Sequence, residues 1–345
     1  MAGYSAGSKL LHYLALGVPA IAEASFDLEW GTQGRDAPDS RDGEHVFVSG
    51  LARAGTTILM KTLHASGEFC SLTYRDMPFV LAPNLWSKIA ALSKKKAQAN
   101  ERAHNDGILI GFDSPEALEE LFWRIQTQGK YIQADCLTNS RIEDEVIIKF
   151  RKYVSLILKR YGGQRYLSKN NNNVLRIPTL LEAFPRAKVI VPFRDPLQHA
   201  MSLYRQHQHF KKLHRKDPFA RRYMKWLVHH EFGLDHKPFA MANDQLMRGD
   251  PAQVDYWLDQ WLSVYCEIIE TRKAVGRYVI LFDYDHFCRE PKNDLRLLSG
   301  ELKMKRIRAD DIRPPAAREC EVGNIELKNK AYEVHNEMKR ISLQL

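Results

Sequence analysis

Two glycines, Gly50 and Gly55, stand at the spacing of a phosphate-binding loop in the run GLARAGTT from 50 to 57. The nucleoside-triphosphate version of such a loop places a Lys straight after the second glycine, where it meets the outer phosphates. This chain has Thr56 there and carries its cation earlier, at Arg53. Backbone N–H groups of 53–57 at the start of a helix would form an anion cradle. Arg53 adds a planar fork, and Thr56 and Thr57 add hydroxyl donors. The missing point charge argues against a triphosphate held by lysine and magnesium. A plain strand–turn–helix corner is the alternative reading. A second candidate lies in VIVPFRDPLQHAMSLY, where Arg194 is followed eight residues later by Ser202. Arg binds phosphate bidentately; alternatively, Arg194 caps carbonyls or pairs with Asp195.

These side chains need elements to hold them. HVFVSG (45–50) reads as a buried strand and TTILMKTLHAS as a helix, with Ile58, Leu59, Thr62 and Leu63 on one face. Strand, glycine loop and helix form the context in which a phosphate-loop match is credible. FCSLTY (69–74), RYLSK (165–169), AKVIVPF (187–193) and YVILFDY (278–284) predict further strands, and 84–165 reads as mostly helical. In DPLQHAMSLYRQHQHF, Asp195 and Pro196 occupy N-cap and first-turn positions. In VDYWLDQWLSVYCEII, Val254, Trp257, Leu258, Trp261, Ile268 and Ile269 share a face, so the tryptophans read as core. Strands alternating with helices imply an α/β fold of three layers, a mainly parallel sheet flanked by helices. Gly50 and Arg194 then both follow carboxyl ends of strands, where ligands of open α/β sheets gather.

Composition narrows the classes. The 44% hydrophobic share suffices for a sizeable core, and the net charge of +9 favours anionic ligands without specifying nucleic acid. Five cysteines (70, 136, 266, 288, 320) form no C-x-x-C pair, which fits a reducing, cytoplasmic setting better than a disulfide framework or zinc site. HHEFGLDH (229–236) has Leu234 where H-E-x-x-H needs its second His. His207 and His209 read as solvated or ligand-facing. No apolar run approaches a membrane span. KLLHYLALGVPAIAEA has a Lys and a short apolar stretch, but His12, Tyr13 and Pro19 interrupt it, so a packing helix is expected rather than a signal peptide. SKKKAQANERAH reads as a solvated stretch.

The loop Ala-Arg-Ala-Gly-Thr-Thr after a first strand resembles the 5′-phosphosulfate loop of sulfotransferases that use 3′-phosphoadenosine-5′-phosphosulfate. A later strand ending in FRDP, with Ser eight residues after its Arg, resembles that family's 3′-phosphate motif. The order and the separation of about 140 residues are also similar. YLSKNNNNVLRIPTLLEAFPRAKVIVPFRDP resembles the family's lysine-bearing segment, and YVILFDYDHFCREP its late strand end. The resemblance covers about 45–75 and 165–290. It implies a P-loop-like fold over 1–345 as one domain, with 1–44 a helical extension and 84–165 a helical insertion on the acceptor side.

The implied reaction is in-line attack of an acceptor hydroxyl on sulfur, without a metal, with adenosine 3′,5′-bisphosphate leaving. By the resemblance, Arg53, Ala54, Gly55, Thr56 and Thr57 hold the phosphosulfate, and Arg194 and Ser202 hold the 3′-phosphate. Arg205, one turn on, reinforces them, and Tyr284 lies against the nucleotide. Arg53 and Lys169 stabilise charge; Lys169 read alone is a surface residue starting an Asn-rich turn. The base is expected at Asp76, where relatives place a Glu; pairing with Arg75 is the alternative, and His104 ranks behind it. The family's C-terminal nucleotide segment is not recognisable in KMKRIRADDIRPP. The acceptor is a glycan or other biosynthetic hydroxyl, and peptide tyrosine is a second class, since the motif order also resembles the tyrosylprotein branch. The basic stretch 205–225 would suit an acidic or sulfated acceptor. Two rival readings are a nucleotide-dependent kinase, which wants the missing lysine, and a non-catalytic polyanion binder.

Overall fold

Along each central strand, successive side chains enter different cores. Val46 and Val48 pack on one side and Phe47 on the other; Ile190 opposes Val189, Val191 and Phe193; Ile280 and Phe282 oppose Val279 and Leu281. A sheet apolar on both faces must be covered twice, and this one is. The computed structural model describes residues 5–91, 118–241, 249–305 and 322–342, with the backbone of 100–101 and 109–110. Its central strands are β1 (Val46–Val48), β2 (Leu167–Lys169), β3 (Lys188–Phe193) and β4 (Val279–Asp283). They are parallel, in the order β2-β1-β3-β4. Helices Thr56–His64 and Pro291–Glu301 cover one face. Helices that include Asp144–Tyr161, Pro196–Lys216 and Val254–Val275 cover the other. The fold is the three-layer α/β arrangement that the alternation predicts.

The chain runs from β1 to β2 on one side, then crosses β1 to reach β3 on the other. That reversal between β1 and β3 makes a crevice at their carboxyl ends. Asp195 caps the helix after β3, its Oδ1 accepting from the Gln198 N–H at 2.9 Å, and Pro196 takes the first turn. Trp257 and Trp261 are buried as expected, and the Tyr265 hydroxyl donates to the Pro192 carbonyl at 2.8 Å, fixing the end of β3. The N-terminal stretch forms helices Ala6–His12 and Pro19–Gln33, the second burying Ala22 and Phe26 in the core. Among the described residues, no helix is long and apolar enough to cross a membrane.

Some expectations need correction. FCSLTY forms no extended strand: Cys70 bridges Tyr166 beside β2, and the chain leaves extension in a tight turn at Tyr74–Asp76. The Asp76 carboxylate takes the Thr73 N–H at 2.8 Å and so ends the strand. His207 is buried against the rings of Trp257 and His236, not solvated. Burial, helped by His236 and Lys211, pushes it down to about 3, so it is a neutral core group. Residues 102–108, with His104, and 306–321, with most of KMKRIRADDIRPP, lie outside the described residues.

The Asn-rich turn after Lys169 is not a surface turn. Asn170, Asn171, Asn172 and Asn173 are all buried, and Lys169 is 8% exposed. Two buried carboxylates hold the turn in place. Glu120 Oε2 accepts from Asn170 Nδ2 at 2.5 Å and from Arg176 Nη1 at 2.8 Å, and its Oε1 accepts from Tyr131 and Arg176. Glu119 accepts from Asn173, Trp123 and Tyr166. Removing one partner of a buried pair leaves an uncompensated charge, so Arg176→Ala should cost about 3–5 kcal/mol. Urea unfolding at constant m-value measures this; a loss under about 1 kcal/mol would show that the pair does not anchor the turn.

Candidate functional site

All four central strands end at the same edge, and each delivers one of the candidate groups. Lys169 closes β2, the Gly50–Thr57 loop follows β1, Arg194 follows β3 and Tyr284 follows β4. Register sets their spacing: Val48 lies beside Lys169 on one side and Ile190 on the other, while β3 and β4 run on past that point to Phe193 beside Asp283.

The loop is held in a conformation that few residues adopt. Arg53 has φ 70° and Gly55 φ 92°. A Cβ on Gly55 would meet the Tyr284 ring at 2.2 Å, so only glycine lets that ring close on the loop. Gly55 is also the N-cap of helix Thr56–His64, and no side chain caps the helix. Its first N–H groups therefore lack intrahelical acceptors and favour an anion.

The two corners are joined. Arg194 Nη1 donates to the Arg53 carbonyl at 3.2 Å, and Arg53 Nε donates to Ser202 Oγ at 3.3 Å. The structure thus brings together Arg53, Ala54, Gly55, Thr56, Thr57, Arg194 and Ser202 around one crevice. Sequence reasoning missed two groups that hold it. Asp285 pairs with Arg194 Nε at 3.3 Å and takes the Asp195 N–H at 2.7 Å. Buried His199 bonds the Ala52 carbonyl through Nε2 at 2.8 Å. Burial, reinforced by Arg194 and Arg53, lowers His199 to about 3, so it is a neutral strut between two cations. Its only sequence signal is that it lies one helical turn before Ser202.

Arg205, Tyr284 and Asp76 differ in their surroundings. Arg205 is exposed on the helix beyond Ser202. Tyr284 is buried, packed on Gly55 with the Arg194 guanidinium 5.9 Å from its ring centre, so it buttresses the loop. Asp76 is 1% exposed. Its Oδ2 accepts from Thr73 N–H and from the Tyr161 hydroxyl at 2.5 Å, and its Oδ1 lies 3.7 Å from Arg160 Nε. Its charged partner is Arg160, where the sequence suggested Arg75. Burial raises this carboxyl above its ordinary value, against its hydrogen bonds and Arg160. A carboxylate enclosed in this way is not presented to an acceptor; it fixes a turn.

Two outcomes follow from this geometry. Gly55→Ala should destabilise the fold by about 1–3 kcal/mol through strain and overpacking, and Tyr284→Ala in the same chain should recover part of the loss, as read by thermal unfolding. Asp76→Asn should keep more than about a tenth of wild-type turnover, while Tyr161→Phe should cost about 1.5–3 kcal/mol of stability, as for a hydrogen bond to a charged group. Turnover assays and denaturation of both variants check this; a hundredfold rate loss in a stable Asp76→Asn protein would overturn it.

The chain is similar to solved sulfotransferases. A sulfotransferase of Mycobacterium tuberculosis matches at 12% identity and TM-score 0.50, covering 98% of this chain and 84% of its own. One of Mycobacterium avium matches at 16% identity and TM-score 0.49, covering 96% of this chain and 75% of its own. At such identity the likeness concerns the fold. No curated protein matches the chain. The model of the Sulfotransferase family matches residues 45–254, well over half the chain, which takes in β1, its loop, Lys169, Arg194 and Ser202. The crevice and its two arginine corners thus lie within the span that defines the family, and the chain belongs to the sulfotransferases.

Proposed function

We propose that this protein moves a sulfuryl group from 3′-phosphoadenosine-5′-phosphosulfate to an acceptor hydroxyl. The observation that carries the reading is the bonding of the two arginine corners, Arg194 to the Arg53 carbonyl and Arg53 to Ser202, across the crevice between β1 and β3. A donor with phosphate at both ends of its ribose needs two anion sites at a fixed spacing. The loop 53–57 would take the phosphosulfate, with N–H groups at the helix start and the Thr56 and Thr57 hydroxyls as donors. Arg194 and Ser202 would take the 3′-phosphate. Asp285 holds the Arg194 fork in place before the ligand arrives, which lowers the ordering cost of binding.

In this reading Lys169, level with Val48 at the end of β2, lies on the loop's other flank. Its ammonium would meet charge that develops on the bridging oxygen as the bond from sulfur to the 5′-phosphate breaks. Fixed donors aimed at developing charge lower the barrier because they need no reorganisation. A transferring sulfuryl group carries less negative charge than a γ-phosphoryl group. That fits a loop with one early arginine and no lysine after Gly55. The acceptor is a glycan-type or other biosynthetic hydroxyl, with peptide tyrosine the second class.

The test is calorimetry with adenosine 3′,5′-bisphosphate, adenosine 5′-phosphate and magnesium-ATP. The bisphosphate should bind best, with a chelator present or absent. Arg194→Ala should weaken it by about 1.5–3 kcal/mol, as for a charged hydrogen bond, and leave the 5′-phosphate nucleotide unaffected. Equal losses for both nucleotides would remove Arg194 from the 3′-phosphate, and a preference for magnesium-ATP would replace the reading with a kinase.

A further inference from the structure

We propose that His229, oriented by Glu231, takes the proton from the acceptor hydroxyl. This rests on the sulfuryl-transfer reading above, and it fills the role that buried Asp76 leaves open. The two residues stand in a corner that the turn after Lys169 grips from both sides. Asn172 Nδ2 donates to the Val228 carbonyl at 3.2 Å, and Asn171 Nδ2 donates to Glu231 Oε1 at 2.9 Å. The Asn170 N–H donates to the Val48 carbonyl at 3.0 Å, so this turn continues the ladder beside β1, at the edge where the phosphate loop begins.

The corner is the C-terminal stop of helix Pro218–Trp226, where the Val228 N–H donates to the Lys225 carbonyl at 3.1 Å. Val228 is β-branched, fully buried, and has φ 55°. A left-handed residue at this place is an ordinary way to end a helix, and a β-branched side chain there costs more than the usual glycine. Its effect is to turn His229 away from the preceding helix Pro218–Trp226 while the His229 N–H still bonds the Met224 carbonyl at 2.9 Å.

The side chains divide as a base and its orienter do. The His229 ring is 25% exposed and the Glu231 carboxylate 12%, with His229 Nδ1 3.6 Å from Glu231 Oε2. Catalytic contacts of this kind are often long without substrate and tighten when it binds. Burial works to raise the Glu231 carboxyl, but His229, Lys169 and Asn171 outweigh it and hold the group below the usual range. With His229 protonated the carboxyl is therefore ionised, the form that stabilises an imidazolium. The neighbouring histidines are committed: His230 Nδ1 to the Asp235 carbonyl at 2.7 Å, and His236 Nε2 to the Tyr256 hydroxyl at 2.8 Å. Among the described residues, none bonds His229 Nε2, and no group of three His, Cys, Asp or Glu is placed to hold a metal.

In the step, His229 Nε2 takes the acceptor O–H proton while the oxygen's electron pair forms the bond to sulfur. The bond from sulfur to the bridging oxygen breaks, and its pair leaves with the 5′-phosphate of the bisphosphate, beside Lys169. His229 touches the acceptor; Glu231 acts through His229 and is a positioning residue.

The probe is sulfur-labelled donor with pooled 4-nitrophenol, glycerol and a tyrosyl peptide, and with water alone, alongside calorimetry with the bisphosphate. His229→Ala should slow transfer by about 10²–10⁴, added imidazole should restore part of it, and bisphosphate affinity should stay within about twofold of wild type. Glu231→Gln should slow the wild-type chain but not slow His229→Ala further, since residues acting as one unit are non-additive. His229→Gln, with its fold checked by thermal unfolding, serves where the Ala variant does not fold. A folded His229 variant that keeps more than about a tenth of transfer, or a further loss from Glu231→Gln in its absence, overturns the assignment. Failure of the wild-type chain to bind the bisphosphate would instead overturn the function on which it rests.

Discussion

A buried ion pair, Arg176 with Glu120, governs the placement of everything on the β2 side of the crevice. Both side chains are nearly inaccessible, at 3% and 2% exposure, and the pair stands because the Glu120 carboxylate also accepts from Asn170 and Tyr131. The guanidinium also lies over the rings of Trp123 and Tyr131, at 4.9 and 4.8 Å. Arg176, Asn170 and Asn173 reach these carboxylates from the end of β2; Glu119 and Glu120 reach in from the helical segment between β1 and β2. Without the pair, four successive asparagines would be a solvated turn. With it, they become a rigid shelf that fixes Lys169 on one side and the 228–231 corner on the other.

The opposite flank solves a different problem, that of keeping two arginines close together in one crevice. Arg194 is 93% shielded by its surroundings, and like charges would repel. The structure meets this by giving Arg194 an acidic partner in Asp285 and a carbonyl in Arg53, and by placing a neutral His199 beneath the loop. The Tyr332 hydroxyl from the C-terminal helix Ile325–Ile341 then bonds Asp195 Oδ2 at 3.1 Å, so the last helix braces the same corner. Cations held in this way are oriented in advance, which is worth more in a crevice than in open water.

The two flanks meet through β1, which is three residues long. Its neighbours on both sides are parallel to it, β2 ending level with it and β3 running on to Phe193, so a loop, a lysine and an arginine appear along one edge. Apolar packing on both faces keeps that edge fixed: helix Thr56–His64 on one face continues directly from the loop, and the aromatic cluster of Phe47, Phe150 and Phe184 fills the other.

The sequence by itself determined what depends on near neighbours. Short continuous apolar runs along 46–48, 188–193 and 279–283 specified buried strands, the Gly50–Gly55 spacing specified a loop into a helix, and Asp195-Pro196 specified a helix start. The places of Arg53, Arg194 and Ser202 in the fold were legible because each sits at a fixed offset from one of those elements. Tertiary structure decided what depends on contacts between distant residues. Asp76 meets Tyr161 across 85 positions, Asn171 meets Glu231 across 60, and Arg194 meets Asp285 across 91. A carboxylate in a polar turn reads the same whether it faces a substrate or a tyrosine, and a run of asparagines reads as solvent-facing until two glutamates are folded over it. Burial and pairing are properties of the assembled layers, and no local pattern encodes which distant partner will arrive.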